Sequence, residues 1–272
     1  MPYSNYEKWK TTPLQEPPFL SIVIPAYNEA ERILPTIGAI ASHVSDLGFP
    51  WEMIIADDGS RDKTVQIVED LGFANLQVLR AEKNGGKGSA VRRGILAARG
   101  QHVLFCDADN STPIEEVSKF IYQLTQGGQD LAVGSRAAEG AQEENKSLMR
   151  RVLSGGLRVL VRYTLNIKVR DTQCGFKMYT AEAARHLHNL QTINGFSFDL
   201  EILFLAFRQG YKVAEVPVTW IDAPGSKVNA RKEVQRFLRD IWIIRRNAWR
   251  GMYNRAPEAA AEAPQLANSP TA

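Results

Sequence analysis

LSIVIPAYNEAER, residues 20–32, joins an apolar run to a proline and a polar cluster. Leu20–Ile24 has the character of a strand, which Pro25 is expected to stop. Ile33, Leu34, Ile37, Ile40, Ala41 and Val44 then recur at helical spacing. WEMIIADDGSRDKT, residues 51–64, repeats the format: a strand at Glu52–Ala56, an acidic turn, and Ser60 placed to cap a helix carrying Val65, Val68 and Leu71. Leu76–Leu79, His102–Cys106 and Leu131–Ser135 give three more strands. A Gly-rich turn and short basic helix cover 85–100, and another helix runs through Ile114, Val117, Ile121 and Leu124. Strands alternating with helices predict an α/β fold, a mostly parallel sheet flanked by helices, with its ligand site at the carboxyl ends of the strands. The polar clusters of this half of the chain all sit at such ends.

The chain has 272 residues, 44% of them hydrophobic and 23% charged, an ordinary globular composition. A net charge of +3 is too small to imply a nucleic-acid partner. Cys106 and Cys174 lie in apolar or motif-like stretches, which fits a reduced, cytosolic protein without a disulfide framework. No CxxC or paired-histidine spacing suggests zinc. Residues 1–19 hold no apolar segment of signal-peptide type and read as an aperiodic arm. No window approaches the roughly 18 apolar residues of a membrane span, so any membrane contact is expected to be peripheral. An extended run is expected at Val213–Trp220, and residues 256–272, rich in Ala and Pro, read as a disordered tail.

NGGKGS, residues 84–89, suggests a phosphate loop but fails both common patterns. A Walker A motif needs Ser or Thr directly after Gly-Lys, where this chain has Gly88; a dinucleotide fingerprint needs glycine at Val91. What remains is a turn presenting Lys87 beside Arg92 and Arg93. Asp57 and Asp58 suit either turn chemistry or acceptance from a base N–H or ribose hydroxyl. Asp107-Ala108-Asp109 would point two carboxylates one way if the backbone is extended, and Mg²⁺ typically takes one or two carboxylates plus substrate phosphates. The alternative is a polar turn in which Ser111 or Thr112 caps a helix beginning at Pro113.

SIVIPAYNEAERI, IIADDGSRDKT, NGGKGSAVRRGILAARG and VLFCDADNSTP together resemble a family 2 glycosyltransferase with the GT-A fold, the Rossmann-like architecture of nucleotide-diphospho-sugar transferases. AVGSR, VRDTQCGFKMY, GFSFDLEILFLA and VAEVPVTWIDAPGSK are similar to the polyprenyl-phosphate hexosyltransferases, and DTQCGFK is closest to the dolichyl-phosphate β-glucosyltransferase branch. The likeness runs in order from about Leu20 to Ile244. It implies a nucleotide-sugar donor, UDP-glucose ahead of GDP-mannose, a Mg²⁺ or Mn²⁺ ion, and a polyprenyl phosphate acceptor. Pro25, Tyr27, Glu29 and Asp57 would hold the nucleoside, with Lys87 near it or the diphosphate. Asp107, Ala108 and Asp109 would meet nucleotide and metal, the two carboxylates being the metal ligands. Arg136, Arg150 and Arg151 would face phosphate charge, and Asp171 and Gln173 would line the sugar side. Relatives of the mannosyl branch often carry arginine after VPVTW; this chain has Asp222, Ala223 and Pro224, leaving Lys227 to supply the cation. Ser111 stands where some relatives have an amide ligand. An anionic phosphate acceptor needs no strong base, and inversion would give a β-linked product; a hydroxyl acceptor would need one, with Asp171 or Asp199 as candidates. Asp199 also reads as a structural carboxylate paired with Glu201.

The catalytic domain is expected over 20–228, with an interfacial helix region at 145–170 and a basic amphipathic helix at 229–255. On an ideal helix Val234, Phe237, Leu238, Ile241, Ile244, Ala248 and Met252 share one face, and Lys232, Arg236, Arg239, Arg246 and Arg250 another. Trp242, Trp249 and Tyr253 lie between them, a pattern of helices seated on the cytoplasmic face of a membrane. A homo-oligomeric contact is the rival use of these faces.

Overall fold

The computed structural model describes residues 4–143, 160–221 and 230–254. Arg150, Arg151 and Lys227, most of the 145–170 region and the 256–272 tail lie outside them. The elements are α1 (Ser4–Thr11), β1 (Leu20–Ala26), α2 (Ile33–Ser45), β2 (Trp51–Asp57), α3 (Thr64–Glu69), β3 (Leu76–Leu79), α4 (Lys87–Ala97), β4 (His102–Cys106), α5 (Val117–Thr125), β5 (Leu131–Ser135) and β6 (Gln142–Glu143). After α6, helical at 160–165, come β7 (Phe176–Thr180), α7 (Ala181–Leu190), α8 (Phe198–Arg208), β8 (Val213–Pro217), β9 (Thr219–Trp220) and α9 (Ala230–Trp249).

Seven strands form one sheet in the order β3-β2-β1-β4-β7-β5-β8, parallel except for β7, which runs antiparallel to both neighbours. Strand residues alternate between two cores. Leu20, Ile22 and Ile24 of β1 meet Ile37, Ile40 and Val44 of α2 and Phe120 of α5. Val23 and Phe105 turn to the opposite face, onto Val91 and Ile95 of α4, Leu203 of α8 and Ile241 of α9. The result is a helix–sheet–helix sandwich. The order reverses between β1 and β4: α2 lies on one face of the sheet and α4 on the other. That reversal opens a crevice beyond the carboxyl ends of β1 and β4.

Pro25 does not stop β1; it pairs with Ala56. Pairing with β4 ends at Val23↔Phe105, so Pro25 lies where β1 has a partner on one side only, the position a strand proline tolerates. The N-terminal arm is instead partly helical. Trp9 of α1 stacks on Trp51 at 4.2 Å and donates its indole N–H to the Trp51 carbonyl at 2.9 Å. Asn75 ties the segment down through the carbonyls of Trp9 (2.6 Å) and Thr12 (2.8 Å). Two expected caps are absent. The Ser60 hydroxyl accepts from Asn28 N–H, and the Ser111 N–H donates to Asp109 in a turn ahead of Pro113. In α9 the apolar face splits. Phe237, Ile241 and Ile244 are spent on the protein's own core, while Leu238, Trp242 and Trp249 are exposed; the helix ends at Trp249, short of the expected 255, and leaves the exposed Met252 in a turn.

Candidate active site

Four chain segments meet at the reversal. β1 ends at Ala26 and delivers Tyr27 and Glu29; β2 ends at Asp57; β4 ends at Cys106 and delivers Asp107 to Asp109; α4 begins at Lys87. The Lys87 ammonium lies 2.7 Å from Asp107 Oδ1. Burial works against that charge, but Asp107, Asp199 and Asp109 outweigh it and raise the Lys87 pKa. Residues 108–109 form a turn rather than an extended strand, and Asn110 takes φ +52°. The turn still brings both carboxylates to bear on Lys87 and on Glu29, whose carboxyl is raised first by burial and further by Asp109 and Asp107, against Arg32. Glu29 holds Arg32 through two contacts of 2.7 and 2.9 Å. Tyr27 is exposed at the mouth, and Ala108 is buried with its carbonyl accepting from Thr36 at 2.7 Å.

Asp57 turns back on its own loop, accepting from the N–H groups of Gly59 (3.0 Å) and Ser60 (3.1 Å). Its neighbour Asp58, given no separate role by the sequence, grips the lysine turn: its two oxygens accept from Gly85 N–H (2.9 Å) and Gly86 N–H (2.8 Å). A side chain at Gly86 would put its Cβ 2.5 Å from the Asn194 carbonyl. Gly175, between β4 and β7, is as confined, since a Cβ there would fall 1.9 Å from Asp107 Oδ2.

Arg136, just past β5, forks onto Asp171 at 2.7 and 3.0 Å and stacks over Trp220. Burial works to raise the Asp171 carboxyl, but Arg136 outweighs it and holds it below the usual range. An acid held ionised by a bidentate guanidinium is a poor base; its geometry is that of an anchor for Arg136. Gln173 is exposed, its backbone N–H donating to Asp171 at 3.3 Å. Asp199 does not pair with Glu201. It receives the fully buried Lys177 ammonium at 2.6 Å, which also donates to the Cys174 carbonyl at 2.6 Å. Burial keeps Asp199 above the usual range, with Lys177 and Lys87 opposing. Both cysteines are free and buried.

Among the described residues no group of three or more His, Cys, Asp or Glu side chains could hold a metal ion. The carboxylates that the crevice brings to bear on Lys87 and Glu29 are those of Asp107 and Asp109. Two hard carboxylates fit Mg²⁺ or Mn²⁺ when a ligand's phosphates complete the shell. No helix among the described residues is long and apolar enough to cross a membrane.

A sheet with this reversal, an acidic pair after β4 and a lysine opening α4 defines the GT-A class of α/β proteins. A structure of glucosyl-3-phosphoglycerate synthase from Mycobacterium tuberculosis, in complex with Mn²⁺, UDP-glucose and phosphoglyceric acid, shares the fold, with a TM-score of 0.63 at 22% identity over 84% of this chain and 78% of that one. Residues 21–187 match the family described as glycosyl transferase family 2. The chain is 35% identical to the dolichyl-phosphate β-glucosyltransferases of Dictyostelium discoideum and Saccharomyces cerevisiae, over 84% and 86% of its length and 74% and 76% of theirs. The human dolichyl-phosphate β-glucosyltransferase is 34% identical over 85% of this chain and 77% of its own. The chain belongs to glycosyl transferase family 2.

Proposed function

We propose that the protein transfers glucose from UDP-glucose to a polyprenyl phosphate of the dolichyl type, with inversion, giving a β-linked lipid-phosphate sugar at the cytoplasmic face of a membrane. The observation that carries this reading is the meeting of Asp107, Asp109 and Lys87 at the strand-order reversal of a chain whose relatives bear that name.

Pro25, Tyr27, Glu29 and Asp57 line the base and ribose end. Lys87 opens α4, where the helix N-terminus adds its own attraction for phosphate. Asp107 and Asp109 would hold Mg²⁺ or Mn²⁺, which when bound neutralises charge on the departing nucleoside diphosphate. Arg136, fixed by Asp171, presents its charge toward phosphate at the acceptor side, with Gln173 nearby in sequence and Lys227 adding a second cation. The acceptor phosphate is ionised at neutral pH and attacks without a general base, so positioning and charge stabilisation supply the catalysis. The exposed α9 residues seat the enzyme on the membrane that carries its acceptor.

The test uses radiolabelled UDP-glucose, with GDP-mannose in a parallel arm, Mn²⁺ or Mg²⁺ and polyprenyl phosphate. Label should move from UDP-glucose into the organic phase. Label from GDP-mannose instead would reassign the sugar; none from either would end the transferase reading. Asp109→Asn keeps an acceptor for the Ser111 N–H and should melt like the wild type, with turnover down about a hundred-fold.

A further inference from the structure

Glu201 is a fully buried carboxylate on α8 with no place in the transfer chemistry. Four donors converge on it: Thr192 N–H (2.9 Å), Ile193 N–H (2.7 Å), the Thr192 hydroxyl (2.5 Å) and the Tyr253 hydroxyl (2.5 Å). Tyr253 lies four residues beyond the end of α9 and is itself fully buried. Asn247, buried on α9, donates to the Thr192 hydroxyl (3.0 Å) and the Tyr253 hydroxyl (3.3 Å). One cluster thus joins α8, the end of α9 and the loop at 191–194.

That loop is the wall against which the lysine turn is built. The Asn194 carbonyl accepts from Ser89 N–H at 3.2 Å. The Gln191 amide, anchored by His188, donates to the Gly88 carbonyl at 2.9 Å. Gly86 and Gly88 have no room for a Cβ because the carbonyls of Asn194 and Ile193 would stand 2.5 and 2.8 Å from it. Lys87 therefore sits in a turn clamped by Asp58 on one side and by this loop on the other. Without Glu201, the buried Ile193 N–H and the part-buried Thr192 N–H of the loop lose their acceptor, a cost large enough to move the loop.

We propose that Glu201, Tyr253 and Asn247 are positioning residues for Lys87: they lock the 191–194 loop to the end of α9 and so fix the lysine that meets the donor diphosphate. The inference rests on the donor-site reading of Lys87. It gives the C-terminal helix a role at the donor site that is independent of what its outer face touches. Tyr253→Phe deletes one hydroxyl and keeps the ring in its packing against Phe204.

The experiment is a double-mutant cycle on the full chain, read as the dissociation constant of UDP with Mn²⁺ by calorimetry, with thermal melts as folding controls. Tyr253→Phe should weaken UDP roughly five-fold in the wild-type background, the size that substitutions remote from a ligand produce. In a Lys87→Met background the same change should cost less than about two-fold, because the strut acts through the lysine. Equal losses in both backgrounds, or no loss in the wild type, would overturn the strut while leaving Lys87 at the donor site. Unchanged UDP binding by Lys87→Met would overturn both readings together. Should Tyr253→Phe not fold, Thr192→Val, which removes the hydroxyl shared by Glu201 and Asn247, carries the same prediction.

Discussion

Gly175 is glycine because Asp107 fills the space that a side chain would need. A Cβ there would lie 1.9 Å from Asp107 Oδ2 and 2.3 Å from Cγ, and neither segment can slide away freely, since Asp107 N–H donates to the Gly175 carbonyl at 3.0 Å. Gly175→Ala must therefore swing the carboxylate off Lys87 or open the β4–β7 end of the sheet. Displacement of a reacting group by about 1 Å costs on the order of a hundred-fold in rate. Transfer assays on the Ala variant should show a loss of that order, with a melting temperature lowered by only a few degrees. Wild-type turnover in a folded Gly175→Ala protein would remove Asp107 from the chemistry. The same residue-scale logic separates what sequence reveals from what it hides. Asp107, Asp109 and Asp57 announce themselves because carboxylates stand at strand ends, and Lys87 because it follows a Gly-rich turn at the start of a helix. The contacts of Asp58, Gly175, Glu201 and Tyr253 do not, because each is made with a partner distant in the chain.

At the scale of elements, a strand is legible when burial on both faces makes its sequence continuously apolar. β1, β2, β4 and β5 meet that condition, and His102–Cys106 and Leu131–Ser135 fall where the apolar runs do. β7 escapes because FKMYT carries a lysine at its second position, tolerated through Asp199, 22 residues on, and the Cys174 carbonyl. α1 escapes because one tryptophan carries its packing. α9 shows the limit of a helical wheel, which finds an apolar face but not which part of it the core consumes. Its solvent side keeps Leu238, Trp242 (59% exposed) and Trp249 (87% exposed), at i, i+4 and i+11 of one stripe, with the exposed Met252 in the turn beyond the helix. Arg239, Arg245 and Arg250 are exposed beside it. Tryptophan with arginine suits the headgroup region of an anionic bilayer. Trp242→Ala combined with Trp249→Ala should lower co-sedimentation with phosphatidylserine-containing vesicles about ten-fold and leave UDP affinity intact, because neither side chain contributes to the buried core. Undiminished sedimentation would place the membrane contact elsewhere.

Across the whole molecule, burial sets a pH limit that the active site does not. His102, His186 and His188 all have lowered pKa values, with burial the largest cause in each, and His188 is brought down to about 4. His188 sits inside the α7–α8 core against the Tyr179 ring; its Nδ1 lies 2.7 Å from Gln191 Oε1, and its Nε2 has no hydrogen-bond partner among the described residues. Its pKa in the unfolded chain is about 6.5, so between there and about 4 the unfolded state binds the proton and the folded state resists it. The stability it contributes is therefore complete above pH 6.5 and is lost as pH falls toward 4, by about 3 kcal/mol for the full interval. Asp171 changes nothing in that window, because its depressed pKa releases its contribution only below the ordinary carboxylate value. Glu29 and Asp199, with raised values, tilt stability the other way, so the wild type alone gives a mixed slope. His188→Gln isolates the histidine. It should cost stability at pH 7 through lost packing, and the gap between wild type and variant in urea unfolding should narrow steadily from pH 6.5 to 4.5. A gap that stays constant over that range would mean that His188 accepts its proton inside the folded core, with water reaching Nε2.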